Sequence, residues 1–489
     1  MSAQFLAFDL GAESGRAIVG RLQSGVLDIQ EVHRFPNEPV RQNGALNWDI
    51  LRLWFEMRQA MEQVSGTTLA SVGVDTWGCD YALVGEGGYL VQNPFHYRDR
   101  RTDRVMDAVF ERVPAEEIYA VTGIQFMPIN TLFQLYAACR DTPRVIDAAT
   151  SFLTVPDLLN YWLTGRIACE YTNATTTQFV DGRGRSWAVD LLSRLGIPTR
   201  LLPSLVEPGS VLGTLDAGAC AALAGTPVVA PACHDTGSAV ASIEGGARRA
   251  FLSSGTWSLL GAEIPAPIIT PRARALNFTN EGGVCGTTRL LKNIAGMWLL
   301  QSCRRKWAAD GQRVDYQDLL AAADDDSLAF KVLFDPDHAA FLHPPDMVAA
   351  IQQYCRDTGQ REPDTPAAVT RAILESLAFK YRYVVESLEQ LTGVPVEEIH
   401  IVGGGSRNRL LNQFTADATG RLVVAGPVEA TALGNIVMQM VATGTVASLA
   451  DARRMVERSF PVERFEPVDR DRWNSHYPRF QEYLELTCV

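Results

Sequence analysis

The same short pattern opens both halves of this chain: an apolar strand, a glycine turn, and a second apolar strand. In the first half Gln4–Leu10 is followed by Gly11-Ala12-Glu13-Ser14-Gly15-Arg16 and then Ala17–Gly20. In the second half Arg249–Ser254 is closed by Gly255-Thr256, and Trp257–Gly261 returns. Apolar runs punctuated by glycine read as β-hairpins. A second correspondence follows in the same order. Val72-Gly73-Val74 leads into Asp75-Thr76-Trp77-Gly78, and His400-Ile401-Val402 leads into Gly403-Gly404-Gly405-Ser406. The letters agree weakly, but the order of parts repeats. Strands alternating with helical stretches mark an α/β fold. The repeat points to two related α/β domains with a cleft between them. The chain has 489 residues, and single cores rarely grow past about 250–300. Glu244-Gly-Gly-Ala-Arg-Arg249 reads as a linker, so the expected division is 1–244 and 245–489.

Local signals fill in the halves. Trp48, Leu51, Trp54, Met57 and Met61 have helical spacing over Trp48–Val64, with Asn47 as a candidate cap. Leu69–Val74 reads as a strand, residues 101–202 as a helix-rich middle, and Pro203–Gly213 as a loop. A buried strand at Pro227–Pro231 leads to Cys233-His234-Asp235-Thr236-Gly237, with a helix expected from Ser238. A long helix is expected over Pro366–Thr392, and a closing one over Phe465–Leu486.

Charge narrows the function classes. The 44 basic and 56 acidic residues leave a formal charge of −12. That excess disfavours adhesion to nucleic acid or an acidic membrane as a main role. No apolar run of about 20 residues is present to span a bilayer, and Met1–Phe5 lacks the basic start of a signal peptide. Nine cysteines stand singly, without CxxC, which fits a reducing compartment and a cytoplasmic address.

Several clusters can carry chemistry. Asp9–Arg16 has neither GxxxxGK[ST] nor GxGxxG. Its turn can still offer N–H groups to phosphate oxygens, and Asp9 is placed to hold Mg²⁺, directly or through water. An ordinary hairpin turn is the alternative. Asp235 can take a proton from a sugar hydroxyl as that oxygen attacks phosphorus, or it can simply cap a helix. Ser254-Gly255-Thr256 can meet a phosphate or satisfy its own backbone. Gly403-Gly404-Gly405 lets a ligand approach the backbone closely. Asp75, Trp77 and Asp80 suit a sugar, or Trp77 is core. Tyr97–Arg104 mixes signs and reads as a salt-bridged helix start. Asn293 and Gln301 are eight apart, so one helical face can show both.

Taken together these segments resemble the FGGY carbohydrate kinases, and within them the subgroup acting on L-rhamnulose. The carrying residues are Phe8–Arg16, Gly73–Gly78, Tyr97-Arg98-Asp99, Glu170–Gln178, His234-Asp235-Thr236 and Leu252–Ser258. Asn280–Gly283, Lys292-Asn293-Ile294, Ile401–Gly405 and Gly426–Ala430 complete the set. The likeness runs over nearly the whole chain. It implies two actin-like ATPase (ribonuclease H-like) domains around a central cleft, the first mainly sugar-binding and the second mainly nucleotide-binding. It implies ATP-dependent phosphorylation of L-rhamnulose at the 1-hydroxyl, giving L-rhamnulose 1-phosphate and ADP in L-rhamnose degradation, with Mg²⁺ as cofactor. The family's general base falls on Asp235 and its sugar contacts on Gly78, His234, Asp235 and Thr236. Its ATP contacts fall on Ala12, Glu13, Ser14, Gly15, Arg16, Thr256, Asn293, Gln301, Gly403, Gly404 and Gly405. Some members carry an extra cysteine pair where Phe414 and Ala418 stand here. The expected partners are a ketose and ATP, with no nucleic acid and no membrane, in a monomer or weak homo-oligomer. The competing readings are a relative acting on L-fuculose, L-ribulose or D-xylulose, a non-catalytic binding regulator, and an actin-like filament protein.

Overall fold

A computed structural model describes residues 2–342 and 344–485. The strands of the first sheet are β1 (Ser2–Leu10), β2 (Ser14–Gln23), β3 (Val26–Pro36), β4 (Ser71–Thr76), β5 (Ser210–Thr214) and β6 (Pro227–Ala230). Those of the second include β7 (Arg249–Ser254), β8 (Trp257–Ile264), β9 (Thr288–Ala295), β10 (Glu398–Val402), β11 (Leu422–Ala425) and β12 (Glu463–Phe465). Among shorter helices run α1 (Ile50–Gln63), α2 (Tyr171–Thr176), α3 (Asp235–Ala241) and α4 (Trp298–Ala309). They are followed by α5 (Pro366–Thr392), α6 (Arg409–Thr419), α7 (Ala430–Ala442) and α8 (Arg470–Glu485).

The first sheet has the order β5-β6-β4-β1-β2-β3. β1 runs antiparallel to β2 and parallel to β4, and β4 runs parallel to β6. β6 and β5 are antiparallel. The second sheet contains β9-β8-β7-β10-β11-β12 in that order. There β7–β8 is antiparallel, β7–β10 and β10–β11 are parallel, and β11–β12 is antiparallel. Six strands of the second sheet, which has a seventh at Thr279–Gly282 beside β9, therefore repeat the order of the first, with β7 in the place of β1 and β10 in the place of β4. The hairpin repeat read from the sequence is the centre of a larger repeat.

The chain forms two compact units. The first comprises Met1–Gly245, Glu263–Leu290 and Ala430–Phe460, and the second comprises Gly246–Ala262, Leu291–Glu429 and Pro461–Val489. Late segments thus return to the first unit, α7 among them. Side chains on successive strand residues point to opposite faces. In β1, Leu6 and Phe8 pack with Trp48, Leu53 and Met57 on one face. Phe5 and Ala7 pack with Leu433, Ile436 and Val437 of α7 on the other. α7 lies so close to α3 that a Cβ at Gly434 would overlap the Ser238 carbonyl oxygen and stand 2.5 Å from its carbon.

Four expectations shift. α1 begins at Ile50, and its cap is Asp49, which accepts from the Arg52 N–H at 3.1 Å, not Asn47. Trp48 instead turns inward, fully buried. Pro203–Gly213 is not all loop, because Leu205–Val206 and the start of β5 are strands. β5 is an edge strand with one buried position in five, so it lacks the apolar run of a central strand. The helix expected from Ser238 starts at Asp235. The expected closing helix splits into β12 and α8, and Leu486 lies outside the described residues. The long helix α5 spans the expected interval, capped by Thr365 through the Ala368 N–H, with Pro366 in its first turn and Gly393 after its end. Among the described residues no helix is long and apolar enough to cross a membrane.

Candidate functional site

Two groups of the expected residues assemble, one in each unit. In the first unit they gather where β1, β4 and β6 end. Asp9 and Asp75 are register partners on adjacent parallel strands. Period-two alternation puts both on the face covered by α7. There Asn435 Nδ2 donates to Asp75 Oδ2 at 2.6 Å, and Gln439 Nε2 donates to Asn435 Oδ1 at 2.7 Å. Ser71 Oγ donates to Gln439 Oε1 at 2.7 Å, completing a buried polar ladder. Asp75 Oδ1 is buried without a hydrogen-bond partner. Burial pushes the Asp75 carboxyl well above the usual range, and the charges of Asp9 and Asp235 push it the same way.

Asp9 also forms an ion pair with Arg16 across the hairpin. The turn between them is closed by the Gly11 N–H donating to the Ser14 carbonyl at 2.9 Å. Asn37 clamps it from β3's end, donating from Nδ2 to the Gly11 carbonyl at 2.9 Å and from its N–H to the Glu13 carbonyl at 3.0 Å. Ala12 through Arg16 are thus held on a fixed turn.

The Thr76 N–H donates to the Cys233 carbonyl at 2.9 Å, tying the end of β4 to the segment after β6. That segment hangs on Glu170, whose carboxylate accepts from the N–H groups of Thr172, Asn173 and Cys233 and from Thr172 Oγ1, at 2.6–3.1 Å. Burial pushes Glu170 up to about 8. Asp235 follows in the first turn of α3, with Oδ1 accepting from Thr236 N–H at 2.5 Å and from Thr236 Oγ1 at 3.1 Å. Its side chain is 30 % exposed, whereas that of His234 is 9 % exposed. Gly78 lies beside Thr176, whose Oγ1 accepts from the Cys79 N–H at 3.1 Å. Gly78, His234, Asp235 and Thr236 therefore belong to one framework built on β4, β6 and residues 170–178.

Trp77 is buried, and its Nε1 donates to Asp80 Oδ2 at 3.0 Å. Trp48 Nε1 donates to the same oxygen at 2.6 Å, and the two indole rings lie 4.1 Å apart, tilted by 37°. Trp77 is therefore a packed wall. Burial raises Asp80 to about 6 against the pull of its Gln134, Trp48 and Trp77 donors.

In the second unit the glycine run meets the β7–β8 turn. A Cβ at Gly405 would overlap Ser254 Oγ and Cβ and lie 2.9 Å from its carbonyl oxygen. Gly403 adopts φ 80° and faces the same carbonyl. The Met297 and Trp298 N–H groups donate to the Gly255 and Thr256 carbonyls at 3.0 and 3.1 Å, which seats the start of α4 on the turn. Thr256, Gln301, Gly403, Gly404 and Gly405 thus form one group. Asn293 and Gln301 do not share a helical face: Asn293 lies in β9 and Gln301 in α4, separated by Gly296. A Cβ at Gly296 would stand 2.7 Å from the Trp257 carbonyl carbon, so the chain breaks there to pack on the turn. Gln301 Oε1 is buried without a hydrogen-bond partner. Asp337 accepts from the Ala295 N–H at 2.8 Å and pairs at 3.0 Å with buried Lys380, fixing the end of β9.

The sequence reading missed Asn435, Gln439 and Arg289. The first two are polar residues four apart inside the apolar helix α7, a visible signal of one buried polar edge. Arg289 is a lone charge in Thr288-Arg289-Leu290-Leu291 and is fully buried.

The chain matches known proteins along its length. Residues 4–241 match the N-terminal domain, and residues 250–443 the C-terminal domain, of the FGGY family of carbohydrate kinases. A rhamnulokinase of Bacteroides thetaiotaomicron is 44% identical over 98% of this chain and 99% of its own. Rhamnulokinases of Pectobacterium atrosepticum and Bacillus subtilis are 43% and 40% identical, over 97% and 96% of this chain and 95% and 96% of theirs. Among solved structures, a gluconate kinase from Lactobacillus acidophilus has a TM-score of 0.82 at 15% identity, over 100% of this chain and 99% of that one. A glycerol kinase from Plasmodium falciparum with ADP has a TM-score of 0.76 at 16% identity, over 100% and 98%. The two-domain α/β sugar-kinase fold and the end-to-end identity lead to one conclusion: the chain belongs to the FGGY family of carbohydrate kinases.

Proposed function

We propose that the protein transfers the γ-phosphoryl group of ATP to the 1-hydroxyl of L-rhamnulose, giving L-rhamnulose 1-phosphate and ADP in L-rhamnose degradation. The observation that carries this reading is Asp235: a partly exposed carboxylate beside His234, on a rigid framework, in a chain similar end to end to rhamnulokinases.

Phosphoryl transfer needs positioning and charge stabilisation more than covalent help. Asp235 acts as general base. Its carboxylate takes the proton of the 1-hydroxyl, the freed oxygen forms a bond to the γ-phosphorus, and the bridging oxygen leaves with ADP. Gly78, His234 and Thr236 hold the sugar, with Gly78 packed so closely on Thr176 that a Cβ there would stand 3.0 Å from its Oγ1. Ala12–Arg16, Thr256, Asn293, Gln301 and Gly403–Gly405 hold the nucleotide, using backbone N–H groups, hydroxyl and amide side chains, and Arg16. In this reading residues 1–244 mainly bind sugar and 245–489 mainly bind nucleotide.

Mg²⁺ fits the first group. Among the described residues no three histidine, cysteine or carboxylate side chains form a closed metal cage. Mg²⁺ does not need one, since it binds through one or two carboxylates with phosphate and water. The orphaned Asp75 Oδ1, with Asp9 as register partner, offers that donor set. Asp9 and Asp75 would hold the ion, which supplies positive charge to the phosphates when bound.

A monomer or weak homo-oligomer in the cytoplasm is part of the same reading. The test is the product: ³¹P NMR of a reaction with L-rhamnulose and Mg·ATP should show one ketose 1-phosphate per ADP. ATP hydrolysis without a sugar phosphate would sink the proposal.

A further inference from the structure

Arg289 is a cation with no exposed surface, in the first unit. Its Nε donates to the Gly282 carbonyl at 2.8 Å, and its Nη2 donates to His234 Nδ1 at 3.1 Å. The same Nη2 lies 3.2 Å from Glu281 Oε2, which also stands 3.2 Å from His234 Nδ1. A guanidinium has five donors and no acceptor and does not deprotonate in proteins. The nitrogen that receives its N–H must therefore present a lone pair. In a neutral imidazole the ring proton then sits on the other nitrogen. That nitrogen, Nε2, is 3.5 Å from Asp235 Oδ1. The main chain here is held independently, by the Cys233 N–H donating to Glu170 Oε2 at 3.0 Å and the His234 N–H donating to Thr172 Oγ1 at 3.3 Å.

We infer that Arg289 is a positioning residue that fixes His234 as the Nε2–H tautomer, so that its ring N–H faces Asp235 and the sugar oxygen. The inference rests on the reading of Asp235 as the base. Glu281 balances the buried guanidinium, so the pair brings no net charge to the site. With Nδ1 occupied by a permanent donor, the imidazole acts as a hydrogen-bond donor, and the hydroxyl proton is left to Asp235.

The test reads the ring directly. Long-range ¹H–¹⁵N correlation spectra of histidine-labelled protein, with His234 assigned by its absence in His234→Asn, should show the proton on Nε2. The paired change Arg289→Met with Glu281→Gln removes both charges without stranding either. It should shift His234 away from the pure Nε2–H form and lower kcat at least tenfold, with the KM for ATP within twofold. An Nδ1–H ring in the parent protein would overturn the inference, as would an unchanged tautomer and kcat in the paired variant. Should the paired variant fail to fold, the parent spectrum alone decides. Activity surviving in Asp235→Asn would instead sink the base assignment and leave the tautomer result standing.

Discussion

Asp235→Ala separates catalysis from folding because the two effects differ in size. The carboxylate sits in the first turn of a seven-residue helix, where a negative charge is worth about 0.3–1 kcal/mol. Its acceptor hydrogen bonds are to the next residue, Thr236, and its other polar neighbour is His234 Nε2 at 3.5 Å, so no distant group is stranded. Its removal also relieves Asp75, whose ionisation is opposed by the Asp235 charge, and this offsets part of the loss. The net change in stability is then at most about 1 kcal/mol, or roughly 2–4 °C in Tm for a domain this size. Loss of a positioned base costs about 10²–10⁴ in rate. At about 1.36 kcal/mol per decade that is roughly 3–5 kcal/mol on the barrier. Coupled ADP release with saturating L-rhamnulose and Mg·ATP, alongside a thermal melt, reads both quantities. The variant should melt with the parent and turn over at least a hundredfold more slowly. A kcat within threefold of the parent would refute the assignment, and a Tm drop beyond about 10 °C would refute the argument that Asp235 is structurally expendable.

Three further outcomes follow from packing and charge. Gly434→Ala should lower Tm sharply or abolish soluble expression, because its Cβ overlaps Ser238 backbone on α3 and overpacking costs about 1–3 kcal/mol or more; an unchanged melt would show that α7 does not sit so close. Gly405→Ala should raise the KM for ATP about tenfold by pushing the glycine run off Ser254, leaving the KM for sugar nearly unchanged; equal effects on both would contradict the division of roles. Asp157 is lifted by burial to about 7, so folding takes up a proton between its ordinary range and about pH 7, and its contribution to stability falls as pH rises through that window. Asp157→Asn, which can still accept from the Glu170 N–H as Oδ1 does at 2.9 Å, should flatten the decline in Tm between pH 5 and pH 8; an identical slope would remove Asp157 as its source.

The parts that were legible share a physical cause. Central strands such as β1, β4 and β7 are largely buried and carry short apolar runs, and glycine follows near their ends, so the hairpin repeat showed in the letters. α5 announced itself through Thr365-Pro366 at its start and Gly393 at its end. Edge strand β5 did not, because half-exposed residues carry no continuous apolar run. Trp48 continues the helical period of α1 yet turns away from it, since its indole N–H goes to Asp80; pairing across 32 residues leaves no local trace. Asn293 and Gln301 looked like one helical face because their spacing is helical, while the break at Gly296 is set by contact with Trp257. Asp9, His234 and Asp235 stood at strand ends, where sequence points to them. Arg289 and Asn435 act from neighbouring elements and gain meaning only once β9 and α7 are packed.

The most direct test of the account is kcat/KM by ADP release across L-rhamnulose, L-fuculose, L-ribulose and D-xylulose. The account predicts L-rhamnulose at least tenfold ahead of the other three. L-rhamnulose falling below any of them would contradict the substrate assignment, and ADP release with none would contradict the catalytic reading itself.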